Sequence, residues 1–226
     1  MKYSTVIFDM DGTILDTLLD MKESINWALK EAGFPLRSLE EVRRFVGNGN
    51  HLLAERAVPE GAPPEKVEEV FQNFHKHYRL HCMDHTHPYE GIIRLIGALR
   101  REGIHTAVVS NKADYAVQEL AARFFPGLFD EAVGEKEGIR RKPWPDSVFS
   151  VMNALGAGKE STVYVGDSEV DIETAGNAGI PCISVDWGFR TKPFLIAHGA
   201  SVIAETMDQL SFLLTGGAAE GKKQHG

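Results

Sequence analysis

Two aspartates stand two residues apart, directly after a short apolar run near the beginning of the chain. The run at residues 6–8, Val-Ile-Phe, shows no polar alternation, which is typical of a strand that helices cover on both faces of a parallel sheet. Asp9 then falls at the end of that strand, and Asp11 follows. Residues i and i+2 of an extended segment point the same way, so the two carboxylates are predicted to share one small volume.

Two carboxylates in one small volume have a limited choice of chemistry. At about 4 Å apart and an effective dielectric constant near 20, they repel each other by roughly 4 kcal/mol. Such a pair either shares a proton or needs a cation. The alternative is an ordinary Asp-rich turn after a strand, since aspartate and glycine are common turn residues. Residues elsewhere in the chain decide between the two.

Polar side chains also gather at the predicted ends of other strands. They are Ser110, Asn111, Lys142, Asp167 and Asp171. The carboxyl ends of parallel strands meet at one edge of a sheet, which is where open α/β sheets bind ligands. We therefore expect these side chains to lie close to the two aspartates. Simpler interpretations stay open for three of them: a solvated lysine at 142, a helix cap at 110 and an acid in a helical first turn at 171.

The elements that must position these residues form two patterns. From residue 88 onward, strand and helix patterns alternate, which is typical of right-handed βαβ crossovers. Residues 17–86 instead show helical periodicity without a convincing strand. The sequence therefore predicts an α/β fold with a doubly wound parallel sheet, formed by 1–16 and 87–215, and an inserted all-helical cap over 17–86. Residues 216–226 are rich in glycine and lysine and are predicted to be a disordered tail.

The size and charge of the chain argue against several kinds of partner. Its 226 residues, 43% of them hydrophobic, are enough for a sizeable core. The net charge of −8 argues against a general nucleic-acid binder. No apolar run could span a bilayer, and no signal peptide is visible. Cys82 and Cys182 are predicted to be reduced thiols, so we expect a cytoplasmic protein, either a monomer or a homodimer.

Four motifs, spaced along nearly the whole chain, resemble those of the haloacid dehalogenase superfamily. Within it, the chain looks like the phosphoglycolate phosphatase group, whose members carry a helical cap after the first strand. The motifs are Asp9-Met10-Asp11-Gly12-Thr13, Ser110-Asn111-Lys112, Lys142-Pro143 and Gly166-Asp167-Ser168 with Asp171. Two further segments match that group: Gly47-Asn48-Gly49, its cap loop, and Trp187-Gly188-Phe189-Arg190. A plain helix break is the alternative interpretation of the two loop glycines.

The resemblance implies a phosphatase that passes through an aspartyl-phosphate. Asp9 would be the nucleophile, as carboxylates are in other phosphoryl transfers. Asp11 would protonate the leaving alkoxide and then take a proton from the attacking water, which its place two residues further on allows. Lys142 would supply a fixed positive charge that supports the nucleophile and the developing negative charge. These three residues form the predicted catalytic set.

The resemblance also implies Mg²⁺ as the cofactor and a small phosphorylated substrate. Mg²⁺ prefers oxygen ligands, and the predicted ligands are Asp9, the backbone carbonyl of Asp11, Asp167 and, directly or through the second shell of ligands, Asp171. Donors to the phosphoryl oxygens and other substrate contacts are predicted at Gly12, Ser110, Asn111, Asn48 and Arg190.

The expected reaction is the hydrolysis of a small phosphomonoester such as 2-phosphoglycolate. An isomerase similar to phosphoglucomutase, built on the same core, is the first alternative, because it needs the same residues and differs only in how its cap holds a sugar bisphosphate. A pyrophosphatase and a phosphate-binding module without catalysis are the others, since a fold does not determine a function.

Overall fold

The structure is a computed structural model that describes residues 2–216, and its centre is a parallel sheet. The strands are β1 (Thr5–Phe8), β2 (Leu15–Asp16), β3 (His87–Pro88), β4 (His105–Ala113), β5 (Glu131–Glu135), β6 (Thr162–Gly166), β7 (Cys182–Val185) and β8 (Ile203–Ala204). Six of them form one sheet in the order β5-β4-β1-β6-β7-β8, with every pairing parallel. The chain leaves β1 toward β4 and later returns to its other side at β6. The carboxyl end of β1 therefore lies at the switch point of the sheet.

The first strand is buried on both faces, as its unbroken apolar run predicts. Val6 and Phe8 belong to one hydrophobic cluster, and Ile7 belongs to a second cluster on the opposite face. All three side chains are fully buried. This division follows from the period of two along a strand, which sends alternate side chains to opposite faces. The predicted doubly wound sheet is confirmed.

Ten helices of the described residues divide between this sheet and an inserted layer. They are α1 (Leu18–Glu31), α2 (Leu39–Phe45), α3 (Asn50–Ala57), α4 (Pro64–His81), α5 (Ile92–Arg101), α6 (Asp114–Phe124), α7 (Asp146–Ala154), α8 (Glu169–Ala178), α9 (Lys192–Ala197) and α10 (Met207–Thr215). The first four, here called the cap, lie between β2 and β3 and share a hydrophobic cluster of their own. Ile25, Leu53 and Phe74 are at its fully buried centre. The predicted all-helical insertion is thus confirmed.

A small second sheet joins the cap to the parallel sheet. β2 and β3 pair antiparallel, with Leu15 opposite Pro88 and Asp16 opposite His87. The sequence did not predict these strands, because two-residue strands are too short to show a period. The predicted domain boundaries at 16/17 and 86/87 fall beside this sheet and stay a prediction.

Two other details differ from the sequence prediction. β4 extends past the predicted end at Val109 to Ala113, with a shift of register between these two residues. The last residues of β4 are polar yet buried, so the pattern of hydrophobic residues does not show that the strand continues there. Helices α9 and α10 were also not predicted. Apart from Gly216, the predicted tail at 216–226 lies outside the described residues.

Asp20, in the first turn of α1, holds the returning end of the cap. Its carboxylate is only 2% exposed and accepts hydrogen bonds from the backbone N–H of His85 at 2.9 Å and from Thr86 at 2.8 Å, through both its N–H and its hydroxyl. We expect Asp20→Ala to lower the free energy of unfolding by about 2–4 kcal/mol, because it leaves several buried donors without an acceptor. Urea denaturation measures this loss.

Glu23→Ala is the matched control on the same helix. Glu23 lies 3.4 Å from the ring of His85, and both side chains are about half exposed. Exposed ion pairs contribute about 0–1 kcal/mol, so this variant should unfold close to the wild-type midpoint. Equal losses in the two variants would show that Asp20 does not hold the returning chain.

Candidate active site

Three buried carboxylates meet at the carboxyl edge of the sheet. Asp9 follows β1, Asp167 follows β6, and Asp171 lies in the first turn of α8. One oxygen of each lies within 4.8 Å of the others, and none of the three residues is more than 8% exposed. The predicted convergence at this edge therefore holds for these three aspartates. Their burial and like charge favour either a bound proton or a compensating cation.

Lys142 supplies part of that compensation. Its ammonium lies 3.0 Å from Asp9 Oδ1 and 2.7 Å from Asp171 Oδ1. It also donates to the hydroxyl of Tyr164 at 3.1 Å, and the side chain is buried. The alternative of a solvated lysine is wrong, since this ammonium faces the carboxylates and has almost no contact with water. One positive charge still leaves three carboxylates undercompensated.

The protonation of the carboxylates reflects this deficit. Burial raises the pKa of Asp9 to about 7, against the opposing effect of the Lys142 ammonium. Burial, together with the neighbouring Asp171 and Asp9, raises the pKa of Asp167 well above its usual value. For Lys142, the carboxylates of Asp171 and Asp9 outweigh burial and raise its pKa well above the ordinary one. The ammonium therefore stays charged while the carboxylates gain from a further cation.

The donor set fits a hard divalent cation such as Mg²⁺. All three groups offer carboxylate oxygens, which Mg²⁺ prefers over nitrogen and sulfur. The backbone also makes room around Asp167: a Cβ at Gly12 would lie 2.3 Å from its Oδ2, and one at Gly188 would lie 2.4 Å from the same atom. Only glycine leaves this carboxylate its position.

Asp171 both caps a helix and belongs to the carboxylate cluster, two roles that are alternatives in the sequence analysis. Its Oδ2 accepts hydrogen bonds from the N–H and the hydroxyl of Ser168, which forms a capping box at the start of α8. Its Oδ1 accepts from Lys142. The residue is therefore a first-turn acid and also a member of the carboxylate cluster. Its Lys142 bond ties the cluster to the loop before α7.

Ser110 and Asn111 line the same cavity as Asp9, as predicted. The Asn111 amide donates to the backbone carbonyls of Lys142 at 3.1 Å and Gly47 at 3.3 Å, and its Oδ1 is buried with no partner among the described residues. Ser110 does not cap the next helix, because α6 begins only at Asp114. The interpretation of Ser110 as a helix cap is wrong.

Asp11 is not a member of the three-carboxylate cluster. Its two side-chain oxygens lie 2.9 and 3.1 Å from the ammonium of Lys112, whose side chain is 2% exposed. The Asp11 carboxylate outweighs burial and raises the pKa of Lys112 above its ordinary value. Asp11 and Asp9 both line the cavity, so the predicted shared volume is present, with different partners for the two carboxylates. Lys112 belongs to the second motif, but the sequence predicts no role for it.

The cap covers this cavity. Its volume is about 30 Å³, which holds roughly two water molecules. The cap lines it with five residues, which are Met21, Val46, Gly47, Gly49 and Asn50. Any ligand that enters this cavity therefore lies between core and cap.

Three predicted substrate contacts do not line the cavity. The N–H of Gly12 donates to the carbonyl of Leu15 at 2.8 Å. The side-chain oxygen of Asn48 accepts a hydrogen bond from Arg56 at 2.8 Å. Arg190 donates to the carbonyls of Arg43 and Val46 at the end of α2, and it pairs with Glu169 at 2.9 Å. A cation at a helix C-terminus is favoured by the helix dipole. Arg190 thus fastens the cap to the core.

Phe189 makes the corresponding link on the apolar side. Its ring belongs to the hydrophobic cluster of the cap, while its backbone N–H donates to Asp167 Oδ2 at 2.7 Å. Side chains of Phe189 and Arg190 therefore contact the cap, although both belong to the core segment after β7. The position of the cap and that of Asp167 are coupled through this segment.

Comparison with known proteins agrees with this geometry. A sequence model of the family described as haloacid dehalogenase-like hydrolase matches residues 6–185. The chain is 30% identical over 217 residues to the phosphoglycolate phosphatase of Pseudomonas syringae pv. syringae, which covers 93% of this chain and 78% of that protein. It is 33% identical over 195 residues to the phosphoglycolate phosphatase of Mesorhizobium japonicum, with 83% and 84% covered. The chain therefore belongs to the haloacid dehalogenase-like hydrolase family.

The fold also has a close counterpart among solved structures. A crystal structure from Lactobacillus delbrueckii subsp. bulgaricus, assigned as a phosphoglycolate phosphatase, superposes with a TM-score of 0.91 and 40% sequence identity, covering 95% of this chain and 99% of that one. These findings confirm the fold class and the family that the four motifs predict, and the phosphoglycolate phosphatase-like character of the enzyme. Among the described residues, no helix is long and apolar enough to cross a membrane.

Proposed function

We propose that the protein is a Mg²⁺-dependent phosphatase that hydrolyses a small phosphomonoester, such as 2-phosphoglycolate, through an aspartyl-phosphate at Asp9. The meeting of three buried carboxylates with the single ammonium of Lys142, at the edge where the cavity lies, is the observation that carries the proposal. The names of the similar proteins support the choice of substrate.

The proposed reaction has two halves. Asp9 attacks phosphorus, the bond from phosphorus to the alcohol oxygen breaks, and Asp11 gives that oxygen a proton. Asp11 then takes a proton from water, whose oxygen bonds to phosphorus as the aspartyl-phosphate bond breaks, which releases inorganic phosphate and restores Asp9. Ser110 donates a hydrogen bond to the phosphoryl oxygens, and Asn111 donates one when its amide leaves the Gly47 carbonyl of the cap.

Mg²⁺ has a defined place in this proposal. Asp9, Asp167 and the backbone carbonyl of Asp11 would hold it, with Asp171 bound directly or through a water. When bound, it supplies the positive charge that lets an anionic carboxylate approach an anionic phosphoryl group. Lys142 keeps Asp9 oriented and charged on the other side. The cap excludes water from the aspartyl-phosphate until hydrolysis.

The alternatives lack a specific observation in their favour. A mutase similar to phosphoglucomutase must hold and reorient a second phosphate, and a pyrophosphatase must hold a second phosphoryl group. Lys112 is the one cation among the described residues that line the cavity, and its presence does not favour either of them over a phosphomonoesterase. A binding module without catalysis would not need Asp11 beside a nucleophile. The cytoplasmic location stays a prediction, which the free thiols of Cys82 and Cys182 support. The choice between monomer and homodimer also stays a prediction.

A screen of small phosphate esters with Mg²⁺ and with EDTA tests the proposal. We expect phosphate release with Mg²⁺ and a drop of about 100-fold or more after chelation, since several kcal/mol of charge stabilisation is lost. Calorimetry should show weaker Mg²⁺ binding at pH 6 than at pH 8, because Asp9, with a pKa of about 7, must first lose its proton.

The screen also separates the alternatives. A pair of sugar phosphates, incubated with and without a bisphosphate primer, should show no interconversion. Interconversion without release of phosphate would establish the mutase instead. Mg²⁺ binding without turnover of any ester would favour the module without catalysis.

A further inference from the structure

Lys112 is a buried ammonium at the wall of the cavity with no part in the reaction described above. It lies on β4, and its ammonium donates to the carboxylate of Asp11 and to the hydroxyl of Tyr78 on α4. The side chain of Tyr78 is only 1% exposed. A buried ammonium is strongly disfavoured unless anions or dipoles surround it. The chain therefore maintains a cation at this point with partners from both core and cap.

Lys112 lies on the side of the site where the leaving alcohol of the substrate would bind. Asp11, which holds Lys112, is the group assigned to the alcohol oxygen. A ligand atom within reach of Lys112 is consequently on the alcohol side of the ester. Lys142, beside Asp9, serves the phosphoryl side. The two ammonium groups thus face different parts of the substrate.

Asn50 provides a second polar group facing the same space. It is 9% exposed, it lines the cavity, and its side-chain amide has no hydrogen-bond partner among the described residues. It is also the first residue of α3, whose N-cap Gly49 has no side chain to accept from the first N–H groups. Free N–H groups at a helix N-terminus favour an anion. The cap therefore places hydrogen-bond donors where the core places Lys112.

We infer that Lys112 and Asn50 form a subsite for a carboxylate on the leaving alcohol. The inference rests on the proposed phosphatase function and deepens it, because it defines the substrate class as phosphomonoesters of short hydroxy acids. Both residues line the same cavity, Lys112 from the core and Asn50 from the cap. Lys112 and Asn50 are specificity-determining residues in this scheme.

Binding of the carboxylate has a consequence for Asp11. The substrate carboxylate competes with the carboxylate of Asp11 for the same ammonium, which loosens the hold of Lys112 on an Asp11 oxygen. The released oxygen of Asp11 is then free to turn toward the alcohol oxygen. An ester with an uncharged alcohol leaves Asp11 bound to Lys112. The selectivity is therefore expected in kcat as well as in KM.

Two nearly isosteric esters test the subsite. 2-Phosphoglycolate carries the carboxylate, and 2-hydroxyethyl phosphate has a hydroxymethyl group in its place. With Mg²⁺, we expect wild-type kcat/KM to favour 2-phosphoglycolate by about 100-fold or more, because a site built for one polar group rejects an analogue without it. In Lys112→Met the ratio should fall to within about 5-fold of unity, since the paired cation is lost. Asn50→Ala should lower the ratio by about 10-fold.

Lys136→Met is the matched control, because Lys136 is a half-exposed lysine that pairs with Asp114 at 3.2 Å on the surface. It removes the same charge and should keep the wild-type ratio. Equal hydrolysis of both esters by the wild type would overturn the subsite. So would a Lys112→Met enzyme that loses activity on both esters equally and keeps the ratio, since Lys112 would then act only on Asp11.

A binding measurement keeps the two proposals separate. In the Asp9→Asn variant with Mg²⁺, calorimetry should find 2-phosphoglycolate bound at least about 10-fold more tightly than 2-hydroxyethyl phosphate. This ratio can be read even if no ester is hydrolysed, in which case the phosphatase function fails alone. The same affinity ratio tests the subsite even if the Lys112→Met variant does not fold. Equal affinity for the two esters overturns the subsite while the phosphatase function can still stand.

Discussion

Asp9→Asn is expected to abolish ester hydrolysis and leave the chain folded. The amide keeps the shape of the side chain but cannot attack phosphorus, and removal of a nucleophile costs enzymes about 10⁴-fold or more in turnover. The site tolerates the change because its carboxylates are already in excess. Asp9 is buried beside Asp171 and Asp167, and only Lys142 compensates them.

The stability of Asp9→Asn has a predictable dependence on pH. Burial raises the folded-state pKa of Asp9 to about 7, above the ordinary 3.8. The folded state thus holds a proton that the unfolded state loses, and wild-type stability without metal falls as the pH rises from about 4 to about 7. The variant lacks this contribution. Without metal at pH 8, it should be at least as stable as the wild type.

Phosphate release and urea denaturation measure the two effects. Asp208→Asn is the control, since Asp208 is an exposed aspartate on α10, away from the cavity. It should retain full activity. Turnover by Asp9→Asn within about tenfold of the wild type would refute the assignment of the nucleophile, because loss of a true nucleophile costs far more.

Lys142→Met is expected to give the second largest change, in stability and in turnover together. Methionine fills much of the same volume but leaves the Asp9 and Asp171 carboxylates buried without their ammonium. Breaking a buried ion pair by removing one partner costs about 3–5 kcal/mol. Turnover should fall by about 10²–10³-fold, which is the usual loss for one group that stabilises developing charge.

Conditions that reduce the charge should restore stability in Lys142→Met. At pH 6 the carboxylates bind protons more readily than at pH 8, since burial has raised the pKa of Asp9 and Asp167. The loss of stability should therefore be smaller at pH 6. Mg²⁺ should also restore part of the stability, because it supplies the missing positive charge. Neither condition should restore turnover.

Lys192→Met is the control for removing a paired lysine. Lys192 lies 2.6 Å from Glu205, and both side chains are more than 40% exposed. Exposed pairs contribute about 0–1 kcal/mol, so its unfolding midpoint should change little and should not depend on Mg²⁺. If Lys142→Met were as stable as this control at pH 8 without metal, the three carboxylates would have to be compensated by other groups.

The local sequence already contains the sheet and most of the site. The run at 6–8 predicts a strand buried on both faces, because alternation of side chains along a strand depends only on the backbone. The order of the motifs then predicts that Asp9, Asp167 and Lys142 meet, because parallel strands end at a common edge. These inferences need residue types and periods, which are local properties.

The folded arrangement was needed for every contact between cap and core. Lys112, Asn50, Asn48 and Arg190 look alike in sequence, as polar residues beside a motif or within one. Lys112 and Asn50 line the cavity, whereas Asn48 binds Arg56 and Arg190 holds the end of α2. The direction of each side chain depends on how four helices dock on a sheet edge from which they are distant along the chain. The periodicity of the local sequence does not predict this docking, because the docking arises from packing between the cap and the core.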